Sequence, residues 1–185
     1  MRIFSMPKIT LFHGTAHEFT AFDDRFVLRG NDPNSALGIH LTEDPSTAAQ
    51  YSRLAARDIH GTTPKVIVVE AEVRQIGLVS DPADYLGRDP DFEDRENDAT
   101  RVQFIERRFE LIDLGFDGLC MEESPRDDLT GAWVIFDPNN LTIVKTMTLE
   151  EAEAFAEEYE GSFNPEIEFE EVTLFENRLN ADMKP

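Results

Sequence analysis

The apolar residues of this chain fall in short runs. Lys8–His13, Leu37–Thr42, Lys65–Val73, Phe116–Met121, Trp133–Phe136 and Leu141–Thr146 have the length and the β-branched or aromatic content of strands. Polar, turn-rich segments separate them, such as Arg29–Ser35, and Phe19 and Phe22 are expected to plug the core from a loop. Only two long segments carry strong helical spacing. The first opens at Asp44-Pro45-Ser46, where Asp44 suits an N-cap and Pro45 the first turn, and it runs to Arg57. That spacing puts Ala48, Tyr51 and Ala55 on one face. The second runs from Ala99 to Leu114 behind Asp98 as cap, with an apolar stripe of Val102, Ile105, Phe109 and Ile112. Many short strands and few helices support an α+β chain.

Composition narrows the function classes. The formal charge is −21, from 38 acidic and 17 basic residues. Such a surface repels phosphate backbones at long range, so nucleic acid is disfavoured as a partner. No run of about 18 apolar residues is present to span a bilayer, and Met1-Arg2-Ile3-Phe4-Ser5 lacks the apolar stretch of a secretory signal. The single cysteine, Cys120, permits no intramolecular disulfide and fits a reducing cytoplasm. It sits in an apolar run, as a buried thiol does. His17, His60 and Cys120 show no metal-ligand spacing, and neither a phosphate-binding Gly-rich loop nor a nucleophile elbow is present.

The region from Thr148 differs from the rest. Residues 148–185 hold 12 acidic and 2 basic side chains, net −10, leaving −11 for residues 1–147. Thr148 and Glu151 have capping-box spacing, and Leu149, Ala152, Phe155 and Tyr159 form one apolar stripe. Ile167, Phe169, Val172 and Leu174 suggest a further extended segment. Two units are expected: a domain over 1–147 and an acidic appendage over 148–185.

Three separated segments carry chemistry. They are Leu11-Phe12-His13-Gly14-Thr15; Gly38-Ile39-His40-Leu41-Thr42 with the helix that reaches Tyr51; and Gly115-Phe116-Asp117-Gly118-Leu119 followed by Trp133-Val134-Ile135-Phe136-Asp137-Pro138. In this order and at these separations they resemble the catalytic domain of ADP-ribosyltransferases. The small versions carried by phages and mobile elements within polyvalent proteins are the nearest in look. The resemblance covers residues 8–146 and implies a split pair of mostly antiparallel sheets with a few helices around an NAD cleft. It also implies that NAD is consumed as substrate without a metal, with ADP-ribose passing to a protein target.

Roles follow from the resemblance residue by residue. His13 matches the imidazole that contacts the adenosine ribose and donates to a hydroxyl. Gly14 matches the backbone that holds the nicotinamide carboxamide, and Thr15 takes the small hydroxyl position after it. His40 stands where the family often has tyrosine, and its planar ring can stack on nicotinamide. Tyr51 matches the second ring of that sandwich. Thr47 or Ala48 falls at the position of a serine that binds the carboxamide. The family's third signature residue, a Glu, Gln or Asp just before the Trp133 strand, is replaced by Ala132. The carboxylates of the preceding turn are Glu122, Glu123, Asp127 and Asp128, and Glu123 is the candidate to act in its place. Mono-ADP-ribosyl transfer to a protein is the leading expectation. The alternatives are an inactive transferase fold used as an acidic binding module against a host protein, and ADP-ribosyl or 2′-phosphate transfer on nucleic acid.

Overall fold

The short apolar runs become strands because alternation gives each of them one face to bury. The computed structural model describes residues 6–29, 33–57, 62–79, 98–121, 132–159, 161 and 166–171. In chain order these form β1 (Lys8–Thr15), α1 (Asp24–Arg29), β2 (Ile39–Thr42), α2 (Pro45–Arg57), β3 (Lys65–Glu72), β4 (Gln75–Val79), α3 (Asp98–Asp113), β5 (Gly118–Met121), β6 (Ala132–Ile135), β7 (Leu141–Thr148), α4 (Leu149–Glu158) and β8 (Glu168–Glu171). The fold is α+β, as expected. The strands line up as β7-β3-β1-β2-β6-β5-β4-β8. All neighbours are antiparallel except β4, which runs parallel to β5 and β8.

The sheet is nearly cut in two. β1 pairs with β3 along its whole length, from Lys8 opposite Glu72 to Thr15 opposite Lys65. β2 pairs with β6 from Ile39 opposite Ile135 to Thr42 opposite Ala132. Between β1 and β2, only Phe12 opposite Thr42 holds the register. Hydrogen bonding thus joins β7-β3-β1 and β2-β6-β5-β4-β8 through one residue pair. The two halves curl toward each other. Ile9, Leu11, Ile67 and Val69 of the first half share one buried cluster with Ile39, Leu41, Trp133, Ile135, Cys120 and Ile76 of the second. Phe22 joins this inner cluster and Phe19 packs against it, as the sequence suggested.

Helices cover the outer faces. Phe12, Val66, Val68 and Met147 pack under Ala48 and Ala49 of α2 and Ala152 of α4. Val134, Leu119 and Phe136 pack under Phe104 and Leu111 of α3. One helix face departs from expectation. In α3 the buried residues are Phe104, Arg108 and Leu111, whereas Val102, Phe109 and Ile112 are exposed and Ile105 is only part-buried. Both stripes have helical spacing, and the choice falls to the one that carries Arg108. Its guanidinium donates to the Phe136 carbonyl and to Asp24 Oδ1 at 3.0 Å, tying α3 to α1 and to the end of β6. In α2 the buried residues are Pro45, Thr47, Ala48, Ala49 and Ser52, and Tyr51 is 41% exposed.

Asp117, part of the third motif, is a fastener. Its Oδ2 accepts the backbone N–H groups of Arg74 at 2.7 Å and Gln75 at 3.0 Å, and its own carbonyl accepts the Phe136 N–H at 3.0 Å. It thereby fixes the start of β4 beside β5, just after Gly115 has closed α3 with a φ of 94° that other residues rarely adopt. β4 and α1 have no clear signal in the sequence. Hydrogen bonds to a charged acceptor contribute about 1.5–3 kcal/mol each. We expect Asp117→Ala to destabilise by about 2–3 kcal/mol and Asp117→Asn by less, since its amide oxygen still accepts. Urea unfolding of the two variants measures this, and equal midpoints for Asp117→Ala and the native chain would refute it.

The described part of the region that begins at Thr148 packs on the same body. The capping box forms: Thr148 Oγ1 accepts the Glu151 N–H at 3.2 Å and Glu151 Oε2 accepts the Thr148 N–H at 2.8 Å. Tyr159 sets its ring edge-on to Phe12 at 5.0 Å, and Arg53 of α2 forms an ion pair with Glu153 of α4. β8 then adds to the edge at β4. α4 begins one residue after the boundary expected at 147/148 and shares its cluster with β1 and α2. Val172 and Leu174 lie outside the described residues, as does His60.

Candidate active site

The gap between β1 and β2 is where side chains replace the missing backbone ladder. Alternation along β1 turns Ile9, Leu11 and His13 to the inner face, and Phe12 and Gly14 to the helix side. His13 Nδ1 lies 2.9 Å from the carbonyl oxygen of His40, across the gap. A carbonyl only accepts, so Nδ1 carries the proton. The ring stands edge-on to Phe19 at 6.0 Å and Phe22 at 5.5 Å, and these two rings meet at 5.1 Å. Burial among them pushes the His13 pKa below its ordinary value, against the opposing pull of the His40 carbonyl. The imidazole is thus neutral with its one proton engaged, and Nε2 presents a lone pair. With Nδ1–H engaged in this way, Nε2 can accept a hydrogen bond.

The other candidates divide between the two faces of the sheet. Thr15 is buried on the His13 side, where its hydroxyl accepts the His17 N–H at 3.0 Å. Gly14 faces α2. A Cβ there would meet the Ala48 carbonyl oxygen at 2.0 Å and the Ser52 nitrogen at 2.7 Å, so glycine is what lets the helix lie on the strand. His40, part-buried between the inner-cluster residues Ile39 and Leu41, turns by alternation to the same outer side as Gly14. Tyr51 and Thr47 belong to α2 on that side. Thr47 is buried, and its hydroxyl donates to Asp44 Oδ2 at 2.8 Å. The Asp44 carboxylate also accepts the N–H groups of Ser46 at 2.9 Å and Thr47 at 3.0 Å, which confirms it as the cap of α2. Hence His13 and Thr15 share the inner face, while Gly14, His40, Thr47 and Tyr51 gather on the outer one.

The third position is also on the outer side. Ala132 opposes Thr42 and Met121 and packs against the cluster beneath α3. Glu123, the candidate substitute, lies outside the described residues with Glu122, Asp127 and Asp128. Sequence reasoning missed another carboxylate. Glu43, one residue beyond β2, is part-buried, and its Oε1 accepts the indole N–H of Trp133 at 2.7 Å. Its signal is a period of two, because Ile39, Leu41 and Glu43 fall on one side. Among the described residues no group of three or more His, Cys, Asp or Glu is placed to hold a metal ion. No helix there is long and apolar enough to cross a membrane.

The fold has a solved counterpart. A chain from the crystal structure of the M. tuberculosis MbcT-MbcA toxin-antitoxin complex is similar at a TM-score of 0.50 and 11% identity. The match covers 83% of this chain and 91% of that one. At this identity the likeness concerns the fold alone. No family model matches this sequence, and no curated protein matches it.

Proposed function

We propose that this chain is an NAD-consuming enzyme with a toxin-like role, and that its reaction is mono-ADP-ribosyl transfer to a protein. The observation that carries the proposal is the neutral His13 imidazole in the split between β1 and β2, its Nδ1–H held by the His40 carbonyl and its Nε2 left to accept. A ribose hydroxyl is a fitting donor to that nitrogen. A lone-pair acceptor fixes the sugar without adding positive charge beside a carbon that becomes oxocarbenium-like when nicotinamide leaves. The architecture supports the same view, since the similar solved chain comes from a toxin-antitoxin complex. A protein partner that restrains the activity is consistent with that neighbour. In this reading the ligand lies on the inner face, where Thr15 accompanies His13, and the outer-face residues Gly14, His40, Thr47 and Tyr51 do not touch it.

Labelled NAD incubated with the purified chain and a bacterial lysate tests the proposal. Label on a protein band that survives nuclease treatment is the expected outcome, and mass spectrometry then names the target. Label removed by nuclease would move the acceptor to nucleic acid. A second reading, a transferase fold kept only for binding, draws on Ala132 at the third signature position. Calorimetry with NAD separates the two, because a binding module that has lost catalysis has no need of affinity for NAD.

A further inference from the structure

We propose that Glu43 supplies the active-site carboxylate that Ala132 lacks. The inference rests on the NAD-consuming reading above, and it names a group which that reading leaves open. Three observations carry it. First, Glu43 is on the side of the sheet that His13 faces. Ile39 and Leu41 of β2 lie in the inner cluster, and Glu43 is the next residue in their period of two. Trp133, whose indole binds Glu43, belongs to that same cluster. Ala132 belongs to the outer side, so a carboxylate at that position would point away from His13.

Second, the register sets the two groups at a workable separation. His13 and Glu43 each follow the single Phe12–Thr42 pair by one residue, on opposite strands and to either side of it. A strand rises about 3.3 Å per residue, so about two residues' rise and the split between the strands separate the two groups, room for a ribose between an imidazole and a carboxylate. Third, Glu43 is oriented by one oxygen only. Oε1 takes the Trp133 N–H, and among the described residues Oε2 has no hydrogen-bond partner. A part-buried carboxylate held at one oxygen and open at the other is built to face a ligand.

The chemistry then balances. The bond between the ribose anomeric carbon and the nicotinamide nitrogen breaks, and its electron pair leaves with neutral nicotinamide. The Glu43 carboxylate stabilises the positive charge left on the sugar. The acceptor's nucleophilic atom forms the new bond to the anomeric carbon, and its proton passes to Glu43 and then to water. NAD and the protonated acceptor thus give the ADP-ribosyl acceptor, nicotinamide and a proton.

The test measures nicotinamide released from NAD by the full chain, with lysate protein present as acceptor. Glu43→Gln keeps an oxygen for the Trp133 N–H and loses the charge; Glu43→Asp keeps the charge on a shorter arm. We expect Glu43→Gln to lower kcat about 100-fold or more with KM nearly unchanged, and Glu43→Asp to recover part of the loss. The chain has a single tryptophan, so indole emission reports directly on the Glu43 contact and should stay as in the native protein. Native turnover that persists in Glu43→Gln overturns the carboxylate assignment and leaves the NAD reading standing. Activity lost in both variants together with a shifted indole emission and a lower melting temperature assigns Glu43 a structural role, and overturns the proposal as well. No nicotinamide release by the native chain overturns the NAD reading itself, and Glu43 with it.

Discussion

Replacing His13 by Asn is expected to reduce nicotinamide release from NAD by about 100- to 10,000-fold while leaving the fold intact. The asparagine amide can still donate to the His40 carbonyl from nearly the place of Nδ1, so the anchor across the gap survives. What disappears is the acceptor at Nε2. His13→Gln sharpens the expectation. Its amide oxygen reaches the position of Nε2, so this variant should recover activity relative to His13→Asn. Equal activity in His13→Asn and the native chain would remove His13 from the site.

The same residue predicts a pH dependence. The folded pKa of His13 lies below the ordinary 6.5, because burial opposes the charged ring. The unfolded chain therefore takes up a proton first as pH falls. The contribution of His13 to stability is complete above about pH 6.5 and is lost as pH drops toward the folded pKa. Below that pKa the ring is charged, Nε2 becomes a donor, and activity should fall with it. Many carboxylates also titrate in this acidic chain, so the comparison must be a difference. Native protein should lose more stability between about pH 7.5 and about pH 5.5 than His13→Asn does. Parallel melting curves for the two would contradict a buried neutral imidazole.

Gly14→Ala should be the most damaging single methyl in the described structure. Its Cβ would sit 2.0 Å from a backbone oxygen of α2, and backbone cannot swing aside as a side-chain end can. The helix must lift from β1, loosening Ala48 and Ala49 from the cluster around Phe12. Overpacking of this kind costs about 3 kcal/mol, equivalent to a fall of about 6–12 °C in Tm for a chain of this size. Thermal melts decide it. A Tm within about 2 °C of the native value would mean that α2 does not lie on β1 as described.

The strands are readable because each is a short apolar run whose alternation survives in the fold; β1, β2, β3, β6 and β7 fall close to their expected positions. β4 is not readable. Gln75–Val79 contains Gly77, and what holds its start is Asp117, more than forty residues away, which no local pattern announces. The buried face of α3 escapes the sequence for a related reason. Arg108 looks like a surface residue until Asp24 and the Phe136 carbonyl are beside it. At the site, His13 and Gly14 stand out through their motif, yet neither the direction of the His13 hydrogen bond nor the packing demand on Gly14 has a one-dimensional signature. Glu43 is easily passed over because its partner, Trp133, is ninety residues away.

The acidic tail has a consequence at the rim of the sheet. Among the described residues β8 is the last strand on its side, and an open strand edge invites a strand from another molecule to dock. Its exposed residues include Glu168 and Glu170, with the apolar Phe169 between them 41% exposed. A second copy approaching edge to edge would bring its own carboxylates against these, without enough cations to neutralise them. The chain's surplus of negative charge thus opposes continuation of the sheet of one molecule by the next.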